Sequence, residues 1–359
     1  MTRVLQVLGR SAGGIARHVA QITSALDGTD GLVVDIAGPA GLPIEMPKAL
    51  NPIEIPDGPI VGHRAAVGAL SEMMQSYDVV HAHGLRAGID AGIAARRRDK
   101  TSFLTVHNLV RQEISGPKAV LYRKAEAVAV RATGHTFAVS HDIARHLRRS
   151  IPRSADKIEV LYLGIGGPPT TARSRTDVRA SLGLADGTQL IVSVARLAPQ
   201  KSLDVLLEST ARLRADAVLA VLGEGPLRVD LEHKARILDL GNRVRFLGFR
   251  PDVADHIAAA DVFALSSVWE GVPLAAQEAI LLGTPVVGTD VGGMRELIAN
   301  KVSGRLVPAG DPAALADALD EVLASPERAA SYSAAAAEGL RARFSTEKML
   351  DRLRAAYVS

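Results

Sequence analysis

Short apolar runs alternate with amphipathic stretches along the whole chain. The apolar runs predicted to be strands span 4–8, 32–37, 77–84, 101–106, 135–139, 157–161, 190–195, 217–222, 244–247 and 261–265, with another near residue 286. Helical periodicity predicts helices over 15–26, 61–75, 117–131, 312–323, 326–343 and 345–357, among others. Strands that alternate with helices are typical of parallel sheets, so the pattern predicts two Rossmann-like α/β domains that face each other across a cleft.

A break in this pattern divides the chain. Residues 164–175, GIGGPPTTARSR, have the composition of a linker. We therefore predict a first domain over residues 1–163, a hinge over 164–175 and a second domain over 176–340. A length of 359 residues suits two cores better than one.

The amino-acid composition excludes several classes of protein. Cysteine is absent, which excludes disulfide frameworks and thiolate metal sites. The first residues, MTRVLQVLGR, do not resemble a signal peptide, and no apolar run reaches the roughly 18 residues that span a bilayer. A cytoplasmic protein is expected.

Two glutamates flank the start of a predicted helix. In WEGVPLAAQEA, Glu270 precedes a helix expected to begin at Pro273, and Glu278 lies inside it. The free N–H groups of a helix start attract anions such as phosphate. Here they belong to Gly271, Val272 and Leu274. Carboxylates accept hydrogen bonds from paired hydroxyls, so the two glutamates are candidates for binding a sugar and a ribose; the alternative is two solvated glutamates.

Two cations follow a strand of the second half. Arg196 and Lys201 lie just past the run 190–195, where both can converge on one anion. A diphosphate leaving group needs such neutralisation. Ordinary surface cations are the alternative.

The first half offers glycines and histidines as candidates. Gly13 and Gly14 separate a strand from a helix and allow close approach of backbone to a ligand, without the G-x-G-x-x-G order or the Walker lysine. His81 and His83 lie on one strand, where core or cleft-lining imidazoles are favoured over metal ligands. His107 follows the carboxyl end of the run 101–106, where α/β sheets bind ligands, and is the preferred candidate for orienting a substrate hydroxyl.

Positive charge is concentrated in the first half. Residues 1–163 hold 20 Lys and Arg against 15 Asp and Glu, and residues 84–153 hold 14 against 5. Such a surface suits an anionic membrane or a phosphorylated acceptor, or it is a set of solvated helix faces.

The motifs together resemble a known family. Glu-x7-Glu enclosing GVPL, the following LGTPVVGTDVGGMREL, and the RL-x3-K of Arg196 to Lys201 resemble the retaining glycosyltransferases of family 4, which have the GT-B fold and take a sugar from a nucleotide donor. The resemblance covers nearly the whole chain. One departure is Ser202, since glycine usually follows the lysine.

The resemblance implies a role for each candidate. Glu270 would lie against the donor sugar, Glu278 would bind the ribose, and His107 would lie beside the transferred sugar. Arg196 and Lys201 would stabilise the departing phosphate. The remaining donor-binding candidates are Gly13, Gly14, Glu224, Phe249, Arg250, Gly271, Val272 and Leu274, with Phe249 and Arg250 walling the base; Phe249 could equally be core. Residues 341–359 would form a helix that crosses back to the first domain.

The expected partners are a UDP- or GDP-linked sugar and a hydroxyl acceptor, with a lipid-linked or anionic acceptor as one interpretation. No Asp-x-Asp pair follows a strand, so no divalent metal and no other cofactor is expected, nor is a nucleic-acid partner. Peripheral contact with the inner face of the membrane through residues 84–153 is a further expectation. The alternatives are a nucleotide-sugar epimerase of GT-B fold, which the paired RL-x3-K and Glu-x7-Glu motifs disfavour, and a non-catalytic nucleotide-sugar-binding protein.

Overall fold

The chain divides into two compact units. The computed structural model describes residues 1–10, 14–42, 44–56, 61–108 and 119–358. Unit 1 comprises Met1–Gly164 together with Phe344–Ser359, and unit 2 comprises Ile165–Arg343. Each unit contains a parallel sheet, so the two predicted Rossmann-like domains are confirmed.

Unit 1 is built on a seven-stranded sheet. Its strands β1 to β7 are Thr2–Leu8, Leu32–Gly38, Leu50–Pro52, Val79–His83, Thr101–Val106, His135–Ala138 and Ile158–Val160. They pair in parallel in the order β3-β2-β1-β4-β5-β6-β7. Helices α1 to α5 are Gly14–Leu26, His63–Met73, Leu85–Arg98, Ala119–Ala132 and His141–Ser150. Ser140 is the N-cap of α5, because its hydroxyl accepts a hydrogen bond from the Ile143 N–H.

Unit 2 repeats this plan with six strands. Strands β8 to β13 are Gln189–Val194, Ala217–Leu222, Val244–Gly248, Val262–Leu265, Val286–Thr289 and Arg305–Val307, parallel in the order β10-β9-β8-β11-β12-β13. Helices α6 to α13 are Arg175–Ser181, Leu203–Arg212, Arg228–Ile237, Val253–Ala259, Leu274–Leu281, Met294–Leu297, Pro312–Leu323 and Pro326–Arg343.

The last helix, α14 (Thr346–Val358), belongs to unit 1. Its residues Met349, Leu353 and Tyr357 are buried in one apolar cluster with Val4 and Phe103. The Tyr357 hydroxyl also accepts a hydrogen bond from Gln6 at 3.0 Å. No helix among the described residues has the length and hydropathy needed to cross a bilayer.

Strand order fixes where each unit can bind a ligand. In both sheets the order reverses beside the first strand, between β1 and β4 in unit 1 and between β8 and β11 in unit 2. At such a point the loops that follow neighbouring strands diverge and leave a crevice at the carboxyl edge. The candidate residues of each unit are therefore expected at that edge.

Candidate functional site

The loops that follow β8 and β11 bring two candidates into contact. The Lys201 Nζ lies 2.6 Å from Oε1 of Glu270. The same oxygen accepts a hydrogen bond from the Ser267 hydroxyl at 2.5 Å. The Glu270 side chain is 6% exposed and that of Lys201 19%, so this is a largely desolvated ion pair. A lysine has three donors, which leaves this ammonium able to bind a further anion.

Three hydrogen bonds hold these two loops together. The Val268 N–H donates to the Gln200 carbonyl, and the Gln200 side chain donates to the Trp269 carbonyl, both at 2.9 Å. The Ser266 hydroxyl donates to the Lys201 carbonyl at 2.9 Å. These bonds fix the backbones on both sides of the ion pair, so its geometry is set by the loops.

The backbone conformation at Ser202 shows why glycine usually follows the lysine in the resembling family. Lys201 ends a short 3₁₀ helix, Pro199–Lys201, and Ser202 follows with φ 45° and ψ 45°. This left-handed conformation is the one that glycine adopts with least strain. Serine at position 202 therefore keeps the turn, at a local conformational cost.

The helix after Glu270 begins one residue later than predicted. Pro273 is the N-cap with an extended ψ of 119°, and α10 starts at Leu274, because the chain turns from extended to helical only after the proline. Within the described part of the chain, four N–H groups around this start donate to no protein acceptor; they belong to Gly271, Val272, Leu274 and Ala275. The predicted free N–H groups are thus present at this helix start, and anion binding by them stays a prediction. Glu278 lies half-buried on the second turn of α10.

A pair of glycines packs directly beneath this loop. A Cβ on Gly292 would lie 1.9 Å from the Glu270 carbonyl oxygen, and one on Gly293 would lie 1.5 Å from that of Gly271. The Gly293 N–H donates to the Glu270 carbonyl at 3.1 Å. No other residue type fits here, so these glycines support the position of Glu270.

The other candidates of unit 2 also follow strands of its sheet. Arg196 is exposed after β8, and in the described residues its side chain has no ion-pair or hydrogen-bond partner. Glu224, after β9, lies 3.7 Å from Arg228. Phe249 is 81% exposed, so the alternative that it is a core residue is wrong. Arg250 is held by both carboxylate oxygens of Asp252, at 2.6 and 2.7 Å.

Four buried imidazoles lie together at the carboxyl edge of unit 1. His83 stacks on His81 with ring centroids 4.3 Å apart, and His18 lies 5.4 Å from His83 and 5.5 Å from His107. Burial lowers the pKa of His18 to about 4, and burial with repulsion from His18 lowers that of His81 to about 3. Burial and the neighbouring imidazoles hold the pKa values of His83 and His107 well below the usual range. All four rings are therefore neutral near pH 7.

Hydrogen bonding separates the roles of these histidines. The His81 ring bonds Tyr357 and Thr105 through its two nitrogens, which makes it a core residue. Four ring nitrogens are buried without a hydrogen-bond partner among the described residues: Nε2 of His107, both nitrogens of His18 and Nδ1 of His83. His107 thus keeps a free polar atom, as its predicted role requires. No group of three or more His, Asp or Glu is arranged to hold a metal among the residues the structure describes.

The glycine turn of unit 1 lies partly outside the described residues. Gly13 is among those not described, and Gly14 is the first residue of α1. The roles proposed for both remain predictions.

Sequence reasoning missed several residues that shape the site. Ser267 and Gln200 contact the ion pair or its loop, and His18 joins the imidazole cluster. The only signal for Ser267 was its place two residues after an apolar strand. His18 lies four residues beyond Gly14, within one helical turn of the loop, and that spacing could have indicated it.

Family models match both halves of the chain. Residues 12–166 match the model described as Glycosyltransferase Family 4, and residues 174–339 match Glycosyl transferases group 1. A D-inositol 3-phosphate glycosyltransferase of Geodermatophilus obscurus is 31% identical over 97% of this chain and 85% of its own length. The UDP-Gal:alpha-D-GlcNAc-diphosphoundecaprenol alpha-1,3-galactosyltransferase of Escherichia coli is 29% identical over 69% of this chain and 67% of its own.

Solved structures agree on the fold. The crystal structure of Anabaena HepE in complex with UDP and glucose matches 99% of each chain with a TM-score of 0.82 at 21% identity. Three findings agree on the family: the motifs around Lys201 and Glu270, the two family models, and a relative that matches 97% of this chain. The chain belongs to the family 4 glycosyltransferases, with a group 1 glycosyl transferase domain and the GT-B class of fold.

Proposed function

We propose that this protein is a retaining hexosyltransferase that moves a sugar from a nucleoside diphosphate to a hydroxyl acceptor, without a divalent metal. The observation that carries the proposal is the ion pair of Lys201 and Glu270 at the carboxyl edge of unit 2. A cation and an acid held together beside a helix start suit a substrate that joins a diphosphate to a sugar.

Each group of unit 2 has a part in this reaction. As the bond from the anomeric carbon to the β-phosphate oxygen breaks, that oxygen gains negative charge, which Lys201 and Arg196 would neutralise. Glu270 Oε1 is occupied by Lys201 and Ser267, so Oε2 is the oxygen proposed to accept from a sugar hydroxyl. Glu278 would bind the ribose, and exposed Phe249 would lie against the base.

Retention requires the acceptor oxygen to attack the face from which the diphosphate leaves. A phosphate oxygen of the leaving group would then take the acceptor's proton, so no protein base is needed. His107, neutral and with a free Nε2, would accept a hydrogen bond from a hydroxyl of the transferred sugar.

A uridine donor is favoured over a guanosine donor. Anabaena HepE binds UDP and UDP-glucose, and the galactosyltransferase relative is named for UDP-Gal. Both named relatives also act on hydroxyl compounds that carry phosphate, an inositol phosphate and a diphosphoundecaprenol. With the excess of nine positive charges in residues 84–153, this supports an anionic acceptor and contact of that region with an anionic membrane.

A donor panel tests the proposal. Thermal unfolding is followed with UDP-, GDP- and ADP-sugars, since a ligand that binds the folded state raises its apparent stability. The best donor is then incubated with candidate acceptors in EDTA, and the anomeric configuration of the product is determined by NMR. Retention without metal is expected. An inverted product would refute the retaining mechanism, a donor isomerised without acceptor would indicate an epimerase, and binding without turnover would indicate a binding protein.

A further inference from the structure

Helices α3 and α4 present a face without acidic side chains. The acid within α3, Asp90, is fully buried against His63 at 2.7 Å, and the acid within α4, Glu126, is buried against His146 at 2.9 Å. The exposed side chains of these helices are cationic or aliphatic. They include Arg96, Arg97, Val120, Leu121, Arg123, Lys124, Val128 and Arg131. Asp99, the exposed acid in the described residues of this segment, follows the end of α3.

The two helices form one continuous surface because glycines bring them together. A Cβ on Gly92 would lie 2.9 Å from the backbone and side chain of Ala132, and one on Gly88 would lie 3.4 Å from the side chain of Ala129. Side chains on the outer faces of both helices are therefore neighbours. Cations and aliphatic side chains on adjoining helical faces are typical of elements that lie in a membrane interface.

A cavity opens between the helices at their carboxyl ends. It has a volume of about 430 Å³. Three arginines and three apolar residues line it: Arg96, Arg97, Arg131, Ile93, Val128 and Ala132. Guanidinium groups bind phosphate through paired donors, and the apolar lining suits the aliphatic part of an amphiphile.

Positive charge at this cavity is not compensated. Arg96, Arg97 and Arg131 form no ion pair within the described residues; Arg96 donates to the Arg131 carbonyl. Lys157 lies beside them and donates to the Thr133 carbonyl at 2.5 Å. Burial and repulsion from Arg96 lower the pKa of Lys157. The structure thus concentrates cations at a place where they repel each other, which favours an external anion.

The cavity lies far from the candidate residues of unit 1. The carboxyl end of α3 leads into the first residue of β5, Thr101, whereas His107 follows its last residue. A six-residue strand spans about 20 Å. The cavity is therefore at the edge of the sheet opposite to the imidazoles.

We infer that this cavity binds the phosphate headgroup of an anionic phospholipid, with the exposed aliphatic side chains of α4 entering the lipid surface. The inference rests on the proposed membrane contact of residues 84–153 and gives it a defined site. It does not depend on the transferase activity.

Co-sedimentation with vesicles tests the site. The full chain is incubated at low salt with vesicles of phosphatidylcholine alone or with 30 mole per cent phosphatidylglycerol, about the charge density at which surface attraction is strong. The variant Arg96→Gln/Arg97→Gln/Arg131→Gln is compared with Arg212→Gln/Arg236→Gln/Arg341→Gln, which removes the same charge from exposed positions of unit 2. A thermal shift with UDP in both variants verifies that they fold.

The wild type and the unit 2 variant should bind anionic vesicles only, and less as salt rises. The cavity variant should bind about a hundredfold more weakly, because each cation near such a surface contributes about fivefold. Equal binding by both variants would overturn the site while leaving a diffuse membrane contact. Binding of glycerol 3-phosphate, detected by NMR, without vesicle binding would make the ligand a soluble phosphate and overturn the lipid assignment. If the wild type catalysed sugar transfer but did not bind anionic vesicles, the lipid-binding inference would be wrong and the proposed transferase activity would stand.

Discussion

At the scale of single residues, the ion pair of Lys201 and Glu270 is better explained by ligand binding than by stability. Removing two charges from water costs several kcal/mol per ion, which their attraction repays only in part. The pair is nevertheless largely removed from water, and it lies at the carboxyl edge of the sheet, where α/β sheets bind ligands. Its two loops are fixed by other hydrogen bonds, so the pair is not needed to close them.

The first prediction separates turnover from affinity. Lys201→Ala should lower kcat by roughly 10² to 10³, the effect of removing one group that stabilises charge in a transition state. It should change nucleotide affinity less. Glu278→Ala should weaken nucleotide binding about tenfold, because a hydrogen bond to a charged group contributes about 1.5 kcal/mol or more, with a smaller effect on kcat. Steady-state kinetics and calorimetry measure the two quantities.

The Lys201→Ala variant also leaves a buried carboxylate without its partner. Lys201→Ala/Glu270→Gln removes that charge and should recover stability but not kcat, while Arg212→Ala serves as a surface control. If Lys201→Ala and Glu278→Ala lowered kcat and affinity to similar extents, the assigned roles would be wrong.

The second prediction concerns the neutral imidazoles. The folded-state pKa of His18, about 4, is below the unfolded value of about 6.5. Between these values the unfolded chain binds more protons, so the free energy of unfolding falls as pH falls from 6.5 toward 4, and the contribution of His18 is complete above 6.5. His18→Phe keeps an aromatic ring beside His83 and His107 but cannot titrate. It should reduce the slope by up to about 1.4 kcal/mol per pH unit.

Urea unfolding of His18→Phe and wild type at pH 4.5 to 7.5 measures this slope. His233→Gln, at an exposed position of unit 2, is the matched control and should leave the slope as in the wild type. An unchanged slope in His18→Phe would mean that His18 binds equally many protons in the folded and unfolded chains, and that folding does not lower its pKa.

At the scale of elements, the site is built from strand ends and the turns that follow them. The bounds of β5, β9, α12 and α13 agree with the sequence pattern, because each is bordered by polar residues, glycine or proline. The pattern did not predict β3 or β13, which are three-residue edge strands too short to show periodicity. The start of α10 was misplaced by one residue, since proline fixes φ but not ψ.

The candidate residues likewise divide into those that local sequence indicates and those that depend on contacts between distant segments. Glu270 and Lys201 could be selected as candidates from the sequence because each follows an apolar strand at a spacing that resembles the family pattern. Their contact was not predictable, since it depends on hydrogen bonds between the loops after β8 and β11. The cluster of His18 with His83 and His107 joins three elements and leaves no local signal.

The third prediction tests the support beneath the Glu270 loop. An alanine at position 293 would place its Cβ 1.5 Å from the Gly271 carbonyl oxygen, so the loop must move. Gly293→Ala should destabilise unit 2 by about 1 to 3 kcal/mol, as overpacking does, and weaken UDP binding by more than tenfold. Gly241→Ala has no atom within 4 Å of the added Cβ and should change neither. Urea unfolding and calorimetry report both effects; full UDP affinity in Gly293→Ala would show that the loop position does not govern binding.

At the scale of the whole molecule, the two units have separate cores and opposite charge balances. Residues 1–163 have a net charge of +5 and residues 344–359 one of +1, so unit 1 has +6, and since the whole chain has +3, unit 2 has −3. The proposed donor groups are mainly in the second part, and the lipid-binding cavity is in the first. Membrane attraction and nucleotide binding are thus assigned to different units, and each can be changed without the other.

The fourth prediction follows from the place of α14 in unit 1. Ending the chain at Arg343 removes Met349, Leu353 and Tyr357, each of them at least 98% buried. Burying a large apolar side chain contributes about 1.5 to 3 kcal/mol, so the loss is comparable with the 5 to 15 kcal/mol that stabilise a typical domain. Hydrogen exchange followed by mass spectrometry should show lost protection in β1, β4 and β5 and retained protection in β8, β9 and β11.

A milder variant distinguishes packing from a general effect of shortening the chain. Tyr357→Phe keeps the ring in the core and removes the hydroxyl that contacts Gln6 and His81. It should lower the free energy of unfolding of unit 1 by about 1 to 3 kcal/mol, because buried polar partners are left unsatisfied. The loss of hydrogen-exchange protection should be confined to the same strands of unit 1. Equal loss of protection in β8 and β9 would show that the units unfold together. If the chain that ends at Arg343 kept full protection in β1, the remaining contacts of Val4 and Phe103 would be enough to hold the first sheet without its last helix.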